Sequence, residues 1–336
     1  MQTAAFDYDL PTHAIAQVPV EPRDRARLLV DRGKGDAPEH RTVADLPQLV
    51  RPGDVMVVNT TRVLPARLKL RKPTGGAVEV FLLERTGPGR WDALVRPSRK
   101  VAPGTRIDAG PDLVVEVGGQ TDDDGGVRHV VLHTADEQAA LARHGAVPLP
   151  PYITAELADP ERYQTVFADR PDSVAAPTAG LHLTDEVLDG CRAAGATIAT
   201  VELAVGLGTF KPMVAERVED HHMHSERYRV PPETLAACRN AAGRVIAVGT
   251  TAVRALESAA RRQEPEGRTD LFIRRPFDWQ VVDVLLTNFH LPRSSLLVLV
   301  DAFVGPRWRD LYAEALTRQY RFLSFGDAML LERDPT

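Results

Sequence analysis

Three short polar stretches close apolar runs in this chain: Asn59-Thr60-Thr61-Arg62, Gly249-Thr250-Thr251 and Thr287-Asn288-Phe289-His290. Each places hydroxyls, an amide or an imidazole at the tip of a β-patterned stem, where binding residues concentrate. Backbone amides at a helix start, with hydroxyls beside them, hold carboxylate or phosphate oxygens. Two further loops flank one helix–strand unit: Ala175-Ala176-Pro177-Thr178-Ala179-Gly180-Leu181-His182 and Gly206-Leu207-Gly208-Thr209-Phe210. Pro177 removes a donor and Gly180 permits positive φ, so the first loop is not ordinary helix. In open α/β sheets, small ligands bind at loops of this kind.

A second constellation is Glu219-Asp220-His221-His222-Met223-His224-Ser225-Glu226. Its spacing lacks the HExxH pattern of a helical zinc site, so acid/base work or substrate hydrogen bonding is expected here and no metal. His182 and His290 sit on the other loops, each as a proton carrier or a structural donor. Ser294 and Ser295 follow Pro292 at a helix start, where capping is their expected role. No Walker loop or GxGxxG fingerprint is present.

The elements that must position these groups follow from patterning. Leu28–Val30, Val55–Val58, Thr197–Val205, Arg244–Val248 and Trp279–Leu286 read as strands. Helices are expected from Thr184 as N-cap, near Pro231-Pro232-Glu233, over Ala252–Arg262, over Ser294–Phe303 and from Trp308. Between Ala66 and Pro150 the character changes. Short runs (Val78–Leu83, Trp91–Val95, Leu113–Val117, Val127–Leu132) alternate with glycine-rich turns and end in a helix near Ala135–His144. The expectation is an α/β protein with a mostly parallel sheet covered by helices over residues 1–65 and 151–336. A small antiparallel β-barrel domain is inserted at residues 66–150.

The chain has 336 residues, 43% hydrophobic and 26% charged, ordinary for a soluble globular protein. Its formal net charge of −5 argues against a non-specific nucleic-acid coat. Arginines nevertheless cluster at Arg96, Arg99 and Lys100, at Arg254, Arg261 and Arg262, at Arg274-Arg275 beside Phe277 and Trp279, and at Arg307 and Arg309. No apolar run is long enough to span a membrane, and the first ten residues lack a signal-peptide pattern, so a cytoplasmic enzyme is expected. Cys191 and Cys238 are expected to be reduced.

A dozen of these stretches, in order, resemble one family over nearly the full length. They include Phe6-Asp7-Tyr8-Asp9-Leu10-Pro11, Arg27-Leu28-Leu29-Val30, Asn59-Thr60-Thr61-Arg62-Val63, Trp91-Asp92-Ala93-Leu94-Val95-Arg96-Pro97 and Pro150-Pro151-Tyr152-Ile153. They continue with Arg162-Tyr163-Gln164-Thr165-Val166, Ala175–His182, Gly208-Thr209-Phe210-Lys211-Pro212, Met223-His224-Ser225-Glu226, Val248-Gly249-Thr250-Thr251, Thr287–Pro292 and Gly326-Asp327-Ala328-Met329. The chain resembles the S-adenosylmethionine:tRNA ribosyltransferase-isomerases of queuosine biosynthesis. The resemblance implies that the ribosyl part of consumed S-adenosylmethionine is isomerised and transferred to 7-aminomethyl-7-deazaguanine in the anticodon loop of tRNA. Epoxyqueuosine forms, and adenine and methionine leave. On that reading His182, His224 and Glu226 do the acid and base work. Asn59, Arg62, Thr178, Gly180, Gly208, Thr209, Thr250, Thr251, Arg254, Asn288 and His290 hold cosubstrate and base, and the protein acts as a monomer without metal or membrane. The chain departs from the family at Ala204, where a histidine is usual, at Arg274-Arg275-Pro276 and at Arg227. These departures keep open a paralogue that uses S-adenosylmethionine on a non-tRNA acceptor, and a non-catalytic binder of nucleotide or RNA.

Overall fold

A computed structural model describes residues 1–33, 36–72, 74–121, 126–206 and 212–333. In chain order the strands are β1 (Arg27–Asp31), β2 (Glu39–Thr42), β3 (Val55–Asn59), β4 (Thr61–Val63), β5 (Arg67–Arg71), β6 (Ala77–Gly87), β7 (Arg90–Arg96), β8 (Thr105–Gly110), β9 (Leu113–Gln120), β10 (Val127–His133), β11 (Gly145–Ala146) and β12 (Arg170–Ser173). After them come β13 (Thr197–Leu203), β14 (Glu226–Arg229), β15 (Val245–Val248), β16 (Glu266–Thr269), β17 (Val284–Asn288) and β18 (Ala328–Glu332). The α-helices are α1 (Glu137–His144), α2 (Asp185–Ala193), α3 (Pro232–Arg239), α4 (Thr250–Arg262), α5 (Ser295–Val304) and α6 (Trp308–Thr317). They fall into two compact units, one of Met1–Arg62, Pro150–Arg170 and Ala176–Thr336, the other of Val63–Leu149 and Pro171–Ala175.

The first unit is built on a nine-stranded sheet in the order β16-β14-β13-β3-β15-β17-β18-β1-β2. The run β13-β3-β15-β17 is parallel, as is β18 with β1. The pairs β16·β14, β14·β13, β17·β18 and β1·β2 are antiparallel, so the sheet is mixed where a mostly parallel one was expected. Connection length explains two of the reversals. The link from β1 to β2 is too short for a crossover helix. Two helices, α5 and α6, separate β17 from β18 and turn the chain once more than a single crossover would.

Strand residues two apart share a face. Leu28, Val30, Met56, Val58, Ile246, Val248, Val284 and Leu286 form one core with Val187, Leu188 and Cys191 of α2 and with Val43 and Leu46 of the 3-10 turn Val43–Gln48. The alternate positions Leu29, Val57, Ala247, Leu285 and Met329 are buried as well, where α4 packs on β15 and α5 on β18. Burial on both faces is why these strands read as unbroken apolar runs. Thr184 caps α2 by accepting from the Val187 amide at 3.2 Å, as the sequence predicts. Ser294 caps α5 through the Leu297 amide at the same distance.

One strand is displaced from expectation. Residues 279–283 stay outside the ladder and β17 runs instead from Val284 to Asn288. The cause is Glu257 of α4, fully buried, whose carboxylate accepts from the amides of Gln280, Val281 and Val282 at 3.0–3.1 Å. Amides held by a carboxylate are lost to a neighbouring strand.

The second unit is a seven-stranded antiparallel sheet in the order β11-β5-β6-β7-β10-β9-β8, curled so that β8 packs against β5. Alternation is strict in β7, where Trp91, Ala93 and Val95 are buried while their neighbours are not. Asp136 caps α1 through the Ala139 amide at 3.0 Å.

Candidate functional site

The C-terminal ends of β15 and β17, the 3-10 turn Thr178–His182 and Val205, just past β13, line a cavity of about 360 Å³ with its mouth. Its lining includes Thr178, Val205, Gly249, Thr250, Thr251, Thr287, Asn288, His290 and Leu296, with no charged side chain among the described residues. A second cavity, of about 330 Å³, shares Thr178, Asn288, His290 and Leu296 and adds Tyr152 and Ser324. Both open at the strand ends, where α/β sheets bind ligands.

The inner wall is one hydrogen-bonded chain. Thr178 donates its hydroxyl to Asn288 Oδ1 at 2.8 Å, and Asn288 Nδ2 meets His182 Nε2 at 2.9 Å. These partners set the Asn288 amide orientation and make His182 Nε2 the acceptor, which places the ring proton on Nδ1. His182 is buried, and burial lowers its pKa to about 3, helped by the nearby guanidiniums of Arg321, Arg162 and Arg23. Those arginines donate to the carbonyls of Val18, Val20 and Gln164, at 3.2, 2.9 and 3.0 Å respectively. Nothing local marks these three arginines as neighbours; Arg162 alone lies in one of the family-like runs given above, Arg162–Val166.

Across the cavity, the His290 ring meets Thr287 Oγ1 at 2.9 Å through Nε2, and burial lowers its pKa to about 3. Its backbone is clamped by aromatics. Tyr312 Oη accepts from its amide at 3.0 Å, and Tyr8 donates to its carbonyl at 2.5 Å. Phe289 stacks on Phe322 with centroids 4.6 Å apart. His290 is therefore neutral and rigidly placed.

The third wall is the start of α4. Gly249, with φ of +88°, turns the chain out of β15 into the helix, a conformation that favours glycine. Thr250 and Thr251 are the first helical residues, where a loop was expected, and are 7% and 8% exposed. No acceptor faces the amides of Thr250, Thr251 or Ala252 among the described residues. One turn on, Arg254 is buried and ion-paired with Glu226. Glu226 also accepts from the Gly206 amide at 2.9 Å, so the pair anchors the chain just before the second glycine loop.

The remaining expected residues are placed elsewhere. Asn59 is buried, but its side chain accepts from the Thr61 and Leu203 amides at 3.2 Å and donates to the Leu203 carbonyl at 3.0 Å. It ties β3 to β13 and lines neither cavity. Arg62 is half-buried and forks onto Glu161 at 2.6 and 2.7 Å. Gly180 has no positive φ; a side chain there would meet Phe167 Cζ at 2.7 Å, so its role is close packing. His224 is exposed, and His221 packs edge-on against Phe272. Gly208 and Thr209 lie outside the described residues. Among the described residues no group of three His, Cys, Asp or Glu side chains is arranged to hold a metal ion. Arg275 of the expected basic pair grips buried Asp301 at 2.7 and 2.9 Å, and Arg261 lies over Phe277 at 4.2 Å. Arg96, Arg99 and Lys100, in the other unit, are exposed.

A mixed α/β unit with a polar cavity at its strand ends, together with a second, all-antiparallel β unit, defines the class as a two-unit α/β protein. The chain belongs to the queuosine biosynthesis protein family, whose profile matches residues 3–331. It is 48% identical to the S-adenosylmethionine:tRNA ribosyltransferase-isomerase of Thermotoga maritima over 98% of this chain and all of that protein. It is 50% identical to the proteins of the same name from Symbiobacterium thermophilum, over 98% of this chain and all of that one, and Thermus thermophilus, over 97% and 98%. The crystal structure of the Thermotoga maritima S-adenosylmethionine tRNA ribosyltransferase superposes with a TM-score of 0.56 at 38% identity, covering 97% of this chain and 99% of that one.

Proposed function

We propose that this chain is an S-adenosylmethionine:tRNA ribosyltransferase-isomerase. It moves the ribosyl group of S-adenosylmethionine, with isomerisation, onto the aminomethyl group of 7-aminomethyl-7-deazaguanine in tRNA, and releases adenine and methionine. Full-length relatives of that name support the reading. The observation that carries it to the site is the cavity lined by Thr178, Thr250, Thr251, Asn288 and His290, with no charged side chain among the described residues.

The chemistry suits that lining. A sulfonium acidifies the carbon beside it, and a cationic wall would repel it. Burial keeps His182 and His290 neutral, so neither adds positive charge. A desolvated site also favours the uncharged aminomethyl nucleophile. His290 lines both cavities, and its Nδ1 has no hydrogen-bond partner among the described residues; we assign it proton transfer. His182 holds the Asn288 amide, and Glu226 with Arg254 anchors the loop start; these are positioning residues. We take the Met1–Arg62, Pro150–Arg170 and Ala176–Thr336 unit as the catalytic domain, its sheet covered by helices, and the Val63–Leu149 unit as the inserted β domain.

A cytoplasmic monomer fits a tRNA substrate and the surface. No helix among the described residues is long and apolar enough to cross a membrane. The exposed large hydrophobics there, Val18, Val166 and Val214, are scattered along the chain. The test is incubation with S-adenosylmethionine and tRNA carrying the deazaguanine, against the free base. Adenine and methionine release with a mass gain on the tRNA alone is expected. Release with the free base only would favour the small-molecule paralogue, and no release with either would refute the enzyme.

A further inference from the structure

The start of α4 carries a feature that helix geometry alone does not require. Thr251 Oγ1 is buried and has no hydrogen-bond partner among the described residues. A threonine inside a helix ordinarily turns its hydroxyl back onto a carbonyl three or four residues earlier. Thr251 does not. Its oxygen lies 3.6 Å from the point where a side chain on Gly249 would begin, beside the mouth of the helix, and the residue lines the cavity. An orphaned hydroxyl, three open amides and the positive end of a 13-residue helix thus meet at one spot. A buried donor left unmatched costs free energy unless a ligand completes it. Among the described residues no carboxylate and no cation lines the cavity, and the helix end supplies a positive field there.

We propose that the α4 N-terminus and the Thr251 hydroxyl form the carboxylate subsite for the methionine end of S-adenosylmethionine. This orients the substrate with its anionic end at α4 and its sulfonium and ribose toward Asn288 and His290. The inference rests on the proposed function, since it takes the sulfonium nucleoside as the ligand. The carboxylate is the one anionic group of that molecule, and the helix end would repel the sulfonium. An RNA phosphate is the other source of anionic oxygen, and the burial of Thr251, 8% exposed, favours the smaller group.

The experiment compares binding of S-adenosylmethionine with its decarboxylated analogue by calorimetry, in the full chain and in Thr251→Val and Thr251→Ser. One hydrogen bond to a charged group changes affinity about tenfold or more. The intact protein is expected to prefer the carboxylated ligand by at least that factor. Thr251→Val, which keeps the shape, should lose about tenfold for S-adenosylmethionine and almost nothing for the analogue, while Thr251→Ser retains the preference. Equal affinity of the intact protein for both ligands overturns the subsite, as does an equal loss for both in Thr251→Val. Unchanged S-adenosylmethionine affinity in Thr251→Val with weakened tRNA binding overturns it in favour of phosphate. Adenine release by the intact enzyme is scored separately, so failure of the subsite is distinguishable from failure of the reaction.

Discussion

Glu226 was expected to transfer protons, and its surroundings predict something different. It is 6% exposed and ion-paired with Arg254, itself 5% exposed. Arg254 also donates from Nε to the Leu271 carbonyl at 3.2 Å and from Nη2 to the Thr269 carbonyl at 3.3 Å, so it cannot swing to water when Glu226 is removed. Glu226→Ala therefore leaves a buried guanidinium without its counter-ion, at a cost of about 3–5 kcal/mol. The Gly206 amide loses its acceptor as well. At about 2 °C per kcal/mol for a chain of this size, thermal unfolding should fall by about 6–10 °C. Glu226→Leu combined with Arg254→Met should recover a good part of the loss, because an apolar replacement of both partners removes the stranded charge. Glu226→Gln keeps a neutral acceptor for Arg254 and the amide. As an anchor, it should raise KM more than it lowers kcat and leave the pH profile in place. A proton-transferring carboxylate behaves oppositely: the Gln variant would lose about 10²–10⁴ in rate and one limb of the profile with stability nearly intact. A melting point for Glu226→Ala within 2 °C of the parent, or non-recovery in the double variant, would refute the anchor.

Stability should fall below neutral pH because of two histidines. The folded pKa values of His182 and His290 lie at about 3, below the ordinary 6.5, so their contribution is present above pH 6.5. It is lost as pH falls toward 3, because the unfolded chain binds those protons first, at about 1.4 kcal/mol per pH unit for each ring. Urea midpoints at pH 7 and pH 5 check this; a pair carrying His182→Gln and His290→Gln should show a flatter dependence, and an unchanged slope would contradict it. Asp54, fully buried, accepts from Arg244 Nη2 at 2.7 Å and from the Arg244 and Arg51 amides at 2.8 and 2.9 Å. Asp54→Ala should cost about 3–5 kcal/mol in chemical denaturation, and a loss below 1 kcal/mol would show that Arg244 is satisfied by Glu332 alone.

What could be read from the chain differs by residue according to how local its determinants are. The caps Thr184 and Ser294 were legible because a cap depends on three or four consecutive residues. So were the buried strands around Met56 and Ile246, since burial on both faces leaves an unbroken apolar run. The tips at Gly249-Thr250-Thr251 and Thr287–His290, together with Thr178, do meet in one cavity. The third tip does not, although it too is a polar end on an apolar strand, because Asn59 finds the Leu203 backbone, 144 residues away. No local pattern encodes that partner. For the same reason β17 was misplaced: the carboxylate that withdraws residues 280–282 from the ladder belongs to Glu257, on the preceding helix. Strand direction was missed at both edges and at the interior pair β17·β18 because it depends on the connection between two strands and not on the strands themselves.

The arginines carry the same lesson into the chemistry. Read as a linear pattern, Arg254, Arg275 and Arg307 look like positive surface for RNA. In the fold each faces a carboxylate that is almost wholly buried: Glu226, Asp301 and Asp31. Their charge is cancelled where it stands, beneath or beside the sheet. That cancellation is what the cavity needs. A sulfonium entering a site ringed by uncompensated guanidiniums would be repelled, while one entering a neutral site with a single helix end is turned by it. The charge left for RNA lies instead on exposed side chains such as Arg96, Arg99 and Lys100, which join no ion pair among the described residues. Binding of tRNA and binding of the sulfonium nucleoside should therefore respond differently to salt, the first falling steeply as counterions compete and the second hardly moving.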